Sequence, residues 1–381
     1  MRKLSGPWTA FFACLALVAS AAGMLGAAEL GISATEIVIG QCAALTGPAA
    51  GLGTGIRAGL LAAIEEANAK GGVHGRKIRL VSADDGYEPE KCVDCTAKLI
   101  DDGVFALAGF VGTPTSKVAV PVVQEMKVPL VGLFTGAMLL RQPVQRYVVN
   151  IRASYDDETE ALVAYLAEKA GAKKIAVFYQ DDSFGLAGLS GTEKALGKRN
   201  MAMAAKGSFE RNTLAVKGGL AKVMEGNPDA VIIVAPYKPT AEFVKQARAA
   251  GLKSSMSTIS FVGTESLIAE LGAAAEGMII SQVVPSPADT SLALVRDYQA
   301  ALKTTAPAEK PSYVSFEGYV SGRVLLAALE RAGADPSREK LIDAIDGITK
   351  LDLGGLQVSF STTNHQGSST VYLTQIGRAH V

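Results

Sequence analysis

Residues 174–188 read KIAVFYQDDSFGLAG, an apolar strand-like run followed by a polar, glycine-containing loop and the start of a helix that is predicted from Leu189. The same order occurs at residues 37–40 (IVIG), which lead into a Gly/Thr/Pro loop and a helix predicted from Arg57. The next units also correspond, because residues 77–112 and 201–237 each read strand, polar loop, helix and buried strand. Strands that alternate with helices of this length predict a parallel sheet with right-handed crossovers. The sequence therefore predicts an α/β protein with two similar halves and a cleft between them.

Length and charge narrow the class of protein. A chain of 381 residues is too long for one average core and fits two domains. Its 37 basic and 37 acidic residues cancel, and they are mixed along the chain without a basic run. Nucleic acid is therefore not expected as a partner.

The N-terminus is predicted to be a targeting segment. Arg2 and Lys3 precede an apolar stretch from Trp8 to Met24, and small residues lead up to Ala28. This pattern is typical of a cleavable signal peptide over residues 1–28, which predicts export of the mature chain. The alternative is an uncleaved membrane anchor, because the apolar stretch approaches spanning length.

Cysteine and histidine usage gives no metal or catalytic site. Cys92 and Cys95 lie three residues apart on a predicted helix and share a face, so a disulfide or two inert thiols is favoured over redox chemistry. A metal site would need further ligands, and the chain has three histidines. A phosphate-loop motif and an H-E-x-x-H motif are absent, and the glycines of residues 53–59 miss the dinucleotide spacing. We therefore expect no catalytic residues, no metal and no cofactor.

Two loops of the first half are candidates for binding an anion. Thr113 follows a buried strand and is predicted to be the N-cap of a helix, with Pro114 at N1. Backbone N–H groups and the helix dipole at such a terminus suit a carboxylate, although Thr113 could instead serve only as a cap. Thr135 and Gly136 leave the next strand at the same sheet edge, where ligands of parallel sheets collect. Thr135 supplies a hydroxyl, and Gly136 allows a close backbone approach.

Three residues of the second half occupy equivalent strand-exit positions. Phe184 is either a site residue or the edge of the core, and Tyr237 is predicted to be exposed to the cleft. Glu265 is the acid that we expect in the site, because a carboxylate facing the cleft can pair with a ligand ammonium. The alternative for Glu265 is an acid that only stabilises a helix start.

Several segments together resemble one family. In order they are IVIGQCAALTGPAAGLGTG, EEANAKGGVHGRKI, DDGYEPEKC, GFVGTPTSKVAVP, PLVGLFTGA, FYQDDSFGLAG, VIIVAPYKPTAEFVKQARAAG and FVGTESL. Over nearly the whole mature chain, their order and spacing resemble the leucine/isoleucine/valine-binding family of type I periplasmic binding proteins, which serve ABC importers. The resemblance implies two flavodoxin-like lobes with parallel sheets joined by hinge strands. The N-terminal lobe is predicted to span residues 29–150 plus 282–355, and the C-terminal lobe residues 151–281 plus 356–381.

The resemblance also implies a set of ligand-binding residues. They are Leu52, Thr113, Phe134, Thr135, Gly136, Phe184, Tyr237 and Glu265. Four of them depart from the family pattern. Phe134 replaces a small residue, Gly136 a threonine, Leu52 an aromatic residue and Phe184 a tyrosine, so the pocket is expected to be more apolar. The family's disulfide spacing is also missing, because no cysteine follows Gly109 in its loop.

The expected function is that of a monomeric periplasmic solute-binding protein of an ABC importer. It would close its hinge on an aliphatic or aromatic amino acid, and the inner-membrane permease would recognise the closed form. One alternative keeps the fold and binds an amine-free aromatic carboxylate or a larger apolar solute. Another is a sensory protein that presents its closed form to a membrane receptor. An exported enzyme is disfavoured by the absent catalytic motifs.

Overall fold

The computed structural model describes residues 29–377, and the predicted signal peptide at residues 1–28 lies outside the described residues. Most of the C-terminal tail, residues 376–381, which the sequence predicts to be weakly structured, also lies outside them. Within residues 29–377, no helix has both the length and the apolar character needed to cross a membrane.

The first lobe is built on a five-stranded parallel sheet. Its strands are β1 (Glu36–Ala43), β2 (Lys77–Asp84), β3 (Ala106–Ala108), β4 (Leu130–Val131) and β5 (Val148–Val149), in the spatial order β2-β1-β3-β4-β5. Its first helices are α1 (Ala50–Ala69), α2 (Pro89–Asp101) and α3 (Thr113–Glu125). The inner strands β3 and β4 are fully buried, as expected of a parallel sheet covered on both faces.

The second lobe repeats this plan around a six-stranded sheet. Its parallel strands are β6 (Ile175–Gln180), β7 (Lys206–Phe209), β8 (Ala230–Val234), β9 (Ser255–Thr258) and β10 (Ile279–Gln282). Its helices are α4 (Tyr155–Ala164, continued by a π-helical turn at Tyr165–Lys169), α5 (Ser183–Gly197), α6 (Lys217–Glu225), α7 (Tyr237–Ala249) and α8 (Thr264–Leu271). The prediction of an α/β fold with two parallel-sheet lobes is confirmed.

The last part of the chain contributes to both lobes. It forms α9 (Ala293–Thr305), α10 (Tyr313–Ala332), α11 (Arg338–Asp346), a short hairpin of β11 (Leu351–Asp352) with β12 (Gln357–Val358), and β13 (Tyr372–Gln375). Helix α10 packs on α1 so closely that a Cβ at Gly59 would lie 1.8 Å from the Ser315 carbonyl oxygen. Strand β13 pairs antiparallel with β10 at the edge of the second sheet. The residue boundaries given above for the two lobes remain a prediction.

Two helices start earlier than predicted. Helix α1 begins at Ala50 instead of Arg57, because the glycines at its start allow it to lie on the end of β1. A Cβ at Gly53 would be 1.9 Å from the Ala44 carbonyl oxygen. Helix α5 begins at Ser183 instead of Leu189, because the Asp182 side chain accepts hydrogen bonds from the first-turn N–H groups.

The disulfide pairing differs from the expectation for Cys92 and Cys95. Cys95 of α2 is bonded to Cys42 of β1, with Cα atoms 6.1 Å apart, and Cys92 is a free, buried thiol. Pairing of Cys92 with Cys95 is therefore wrong, because Cys42 faces α2 from the sheet. Burial raises the pKa of the Cys92 thiol, which makes it unreactive.

Candidate functional site

Phe261 is the point at which aromatic side chains of the two lobes meet. It lies in a 3₁₀ turn after β9 and is fully buried. Its ring centroid is 5.2 Å from that of Phe134 and 6.0 Å from that of Tyr87, both in the first lobe. In the second lobe, its ring lies 4.5 Å from Phe184 at the start of α5. These are ordinary distances for interacting aromatic pairs, so the interlobe cleft has an apolar centre.

Tyr155 adds a polar group to this aromatic cluster. Its ring lies 5.5 Å from that of Phe184. Its hydroxyl is buried near Thr135 but has no hydrogen-bond partner among the described residues. Burial raises its pKa to about 12, so the group is a neutral donor at physiological pH. Gly136 is required beside it, because a Cβ there would be 2.4 Å from Tyr155 Cδ1.

The two threonines predicted for carboxylate binding lie next to each other. Thr113 Oγ1 and Thr135 Oγ1 are 2.6 Å apart and buried. The predicted role of Thr113 as N-cap is wrong, because Gly112 holds that position with φ 100° and Thr113 is the first helical residue. No side chain accepts a capping hydrogen bond at the start of α3. The Thr113 hydroxyl is therefore directed at Thr135, and its capping role is excluded, while its role in ligand binding remains a prediction.

Two buried arginines place positive charge beside these threonines. Arg141 donates a hydrogen bond to the Thr135 carbonyl oxygen at 3.0 Å. Burial lowers its pKa to about 9, which still leaves it charged at neutral pH. The Arg152 guanidinium lies 5.3 Å from the centroid of the Phe134 ring and 5.7 Å from that of Tyr155. Arg152 is paired with two carboxylates, whereas Arg141 has no ion-pair partner among the described residues, so the charge of Arg141 is the one that favours an anion here.

Arg152 also joins the lobes through a buried ion-pair network. It pairs with Glu158 of α4 at 2.6 Å and with Glu317 of α10 at 3.2 Å. Burial raises the pKa of Glu317 to about 7, although the charge of Arg152 opposes the shift. Glu158 accepts a hydrogen bond from the Ser260 N–H at 2.9 Å, directly before Phe261. The network thus fixes the turn that carries Phe261 relative to the first lobe.

Leu52 and Tyr237 form a second contact region between the lobes. The Tyr237 hydroxyl accepts a hydrogen bond from the Gly51 N–H at 3.1 Å. Tyr237 is buried, with 6% of its surface exposed, so the prediction that it is exposed to the cleft is wrong. Leu52 is fully buried, and its Cδ2 would lie 2.7 Å from a Cβ at Gly263. Gly263 also has φ 75°, so both the close approach of Leu52 and the backbone conformation favour glycine at this position.

Glu265 lies in the first turn of α8, next to this second region. Its Oε1 accepts a hydrogen bond from the Tyr313 N–H at 3.1 Å. Its Oε2 is buried without a partner among the described residues. Burial raises the pKa of Glu265 to about 6, and the Tyr313 N–H only partly offsets this. One carboxylate oxygen therefore remains available for a donor.

The eight predicted residues thus fall into two groups that residues 260–265 connect. The first group contains Thr113, Phe134, Thr135, Gly136 and Phe184, and the second contains Leu52, Tyr237 and Glu265. Within residues 29–377, no hydrogen bond joins Glu265 directly to either threonine of the first group. Their roles in binding remain predictions.

The sequence reasoning missed four residues of this region: Tyr87, Arg152, Tyr155 and Phe261. Two of them could have been found, because Tyr87 follows β2 at the same sheet edge and Phe261 begins the segment FVGTES that contains Glu265. Arg152 and Tyr155 lie in the chain crossing between the lobes, where no strand-exit pattern marks them.

Comparison with known proteins defines the class. A family model described as periplasmic binding protein matches residues 36–380, so this chain belongs to that family. It is a periplasmic solute-binding protein and not an enzyme. A curated relative is the leucine-, isoleucine-, valine-, threonine-, and alanine-binding protein of Pseudomonas aeruginosa, 25% identical over 331 residues, which cover 86% of each chain.

Two solved structures show how far the likeness extends. A possible leucine/isoleucine/valine-binding protein from Rhodopirellula baltica is 37% identical, with a TM-score of 0.87 over 91% of this chain and 95% of its own. A fatty acid ABC transporter substrate-binding protein from Thermomonospora curvata is 25% identical, with a TM-score of 0.82 over 91% of this chain and 90% of its own. The resemblance to the leucine/isoleucine/valine-binding family is thereby confirmed, while proteins of the same fold are named for chemically different ligands.

Proposed function

We propose that this chain binds an amino acid with an apolar side chain between its lobes and presents it to the permease of an ABC importer. The observation that carries the proposal is the buried hydroxyl pair of Thr113 and Thr135, 2.6 Å apart at the start of α3. One hydroxyl donates to the other, which leaves the second hydroxyl proton and first-turn N–H groups of the helix to donate to a ligand carboxylate. Arg141 supplies positive charge nearby, because its guanidinium donates a hydrogen bond to the Thr135 carbonyl oxygen.

The other end of an amino acid is matched by Glu265. Its buried, unpartnered Oε2 lacks a donor, and a ligand ammonium would provide a charge-assisted hydrogen bond there. The rings of Phe134, Phe184 and Phe261 form the apolar part of the site. The names of the relatives from Pseudomonas and Rhodopirellula support a branched-chain or similar amino acid.

Binding would act by a shift between open and closed arrangements of the lobes. Thr113 and Thr135 belong to the first lobe, whereas Phe184, Phe261 and Glu265 belong to the second. A ligand touches both sets only when the lobes are closed, so its binding energy favours the closed form. The permease can then distinguish loaded from empty protein by the arrangement of the two lobes.

Thermal unfolding of residues 29–381 with the twenty amino acids and matched amine-free carboxylates tests the proposal. A ligand at about a thousand times its dissociation constant stabilises the folded protein by about 4 kcal/mol, which gives a clear rise in Tm. We expect the rise with an apolar amino acid, and its loss in Thr113→Val and Glu265→Gln. Thr96→Val is the matched control. Thr96 is equally buried, but it lies in α2 and its hydroxyl donates a hydrogen bond to the Cys92 carbonyl oxygen. A rise that survives in both site variants would overturn the assignment.

A second candidate ligand is an amine-free aromatic carboxylate. It is favoured by the five aromatic rings of the cleft and by the Tyr313 N–H that already occupies Glu265 Oε1. In that case the same panel shows stabilisation by an amine-free compound but not by any amino acid. Glu265→Gln then leaves the affinity unchanged, while Thr113→Val still lowers it.

A further inference from the structure

Residues 85–88 of the first lobe reach across to the second lobe at the border of the proposed ligand site, where the Tyr87 ring contacts Phe261. The segment follows β2 and is held in an unusual backbone conformation, with φ 65° at Tyr87. The Tyr87 N–H donates to Asp85 Oδ1 at 2.8 Å, which stabilises this turn. The Tyr87 hydroxyl accepts a hydrogen bond from Gln180 Nε2 at 3.2 Å, at the end of β6 in the second lobe. A non-glycine residue with positive φ is uncommon and is retained where surrounding contacts fix it.

The next residue makes the charged part of the contact. Arg211 donates to Glu88 Oε2 at 2.7 Å, and Asn212 donates to Glu88 Oε1 at 2.5 Å. Asn212 also donates to the Gly86 carbonyl oxygen at 3.2 Å. Arg211 is positioned from its own lobe by Asp182, 3.7 Å away. Four hydrogen bonds thus connect residues 85–88 with the second lobe.

These contacts differ from an ordinary surface ion pair in their geometry. Glu88 uses both carboxylate oxygens, and the Arg211 side chain is only 24% exposed. A pair that is partly buried is less screened by salt than an exposed one. All four bonds join residues that lie on different lobes, so they must break when the lobes move apart.

We propose that Gly86 and Glu88 with Arg211 and Asn212 form an interlobe clasp that stabilises the closed form, whereas the neighbouring Tyr87 ring belongs to the aromatic cluster of the cleft. The clasp therefore determines affinity from outside the site, because the apparent dissociation constant is the intrinsic one divided by the fraction of closed protein. This inference goes beyond the proposed function, since it concerns the protein without ligand.

The distance between the lobes in ligand-free protein tests the clasp. Spin labels on cysteines introduced at Lys98 in α2 and Lys222 in α6 report this distance, because both positions are well exposed and native Cys92 is buried. We expect the wild type to populate a short distance, and Arg211→Gln and Glu88→Gln to shift it toward a longer one. The double variant should add little to either single change. Arg199→Gln is the matched control, because Arg199 pairs with Glu160 and Glu168 inside the second lobe.

A salt titration is a second test of the clasp, because it compares the wild type with Arg211→Gln. Raising ionic strength from about 0.05 to 0.5 M should lengthen the wild-type distance and leave the Arg211→Gln distance unchanged. Once a ligand is known, Arg211→Gln should raise its dissociation rate about fivefold, a change typical of losing one partly exposed ion pair. Identical distance distributions in wild type, Arg211→Gln and Glu88→Gln would overturn the clasp. Failure to find any amino-acid ligand would count against the proposed function alone.

Discussion

Glu265 is the predicted site residue whose buried carboxylate is only partly hydrogen-bonded. Its carboxylate has one oxygen bonded to the Tyr313 N–H and one buried oxygen without a partner. Burial therefore raises its pKa from 4.5 to about 6. In the ligand-free protein this contributes stability below pH 4.5 that is lost as the pH rises through about 6, because the unfolded chain ionises more easily.

Burial favours the protonated form of Glu265, whereas a ligand ammonium favours the ionised carboxylate because it pairs with its charge. We expect amino-acid affinity to fall up to about tenfold per pH unit as the pH drops below 6, because a proton competes for Glu265. Calorimetric titrations between about pH 4.5 and 7.5 measure this. Glu265→Gln should bind weakly with little pH dependence, so its difference from wild type isolates Glu265 from Asp85 and Glu317, whose pKa values burial also raises. Equal pH profiles for both proteins would exclude an ammonium partner for Glu265.

Among the elements, those with strong local signals were predicted and the others were not. The alternation of apolar strands with amphipathic helices was enough for both sheets, and Gly251 follows α7 with φ 83°, the conformation typical of a C′ glycine. Strand β13 was missed because its residues are only half-buried, and it is a strand through pairing with β10. Helix α8 was anticipated only in the alternative that places Glu265 at a helix start, because eight residues give a short periodic pattern.

The disulfide between β1 and α2 provides a test at the scale of elements. It closes a loop with a sequence separation of 53, and restricting such a loop in the unfolded chain stabilises the fold by about 4 kcal/mol in the chain-entropy model. Cys95→Ala should lower the unfolding free energy by an amount of that order, measured by denaturant titration. Cys92→Ala is the control, because Cys92 is buried in the same helix but is not bonded. An equal loss in both variants would show that packing, and not the cross-link, causes the effect.

At the scale of the whole molecule, the contacts between lobes were the hardest part to predict. Strand-exit loops identified Thr113, Thr135 and Gly136 because parallel sheets place such loops at one edge. The aromatic cluster was only partly found, because the chain has 12 phenylalanines and 10 tyrosines and their sequence context does not show which face the other lobe. Which of these aromatic residues face the other lobe depends on how the two lobes pack against each other.

A comparison of alanine variants at Phe261 and Phe243 distinguishes an effect on stability from an effect on the contact between the lobes. Both are fully buried phenylalanines of the second lobe, and replacement of either by alanine should cost about 3–5 kcal/mol of stability. Phe243 stacks on Phe178 of its own lobe at 4.1 Å, whereas Phe261 contacts Phe134 of the first. We therefore expect Phe261→Ala alone to weaken ligand binding, measured by calorimetry at a temperature where both variants are folded. Comparable affinity losses in the two variants would contradict a role of Phe261 in closure.

The pairing of β13 with β10, together with the packing of α10 on α1, has a consequence for how the chain folds. Helix α1 is made early, but its partner spans Tyr313–Ala332, and the second sheet lacks an edge strand until Tyr372–Gln375 is available. Neither lobe can reach its final packing while the ribosome is still adding the last part of the chain. Such long sequence separations slow folding, so the final packing of both lobes is expected only when synthesis is nearly complete.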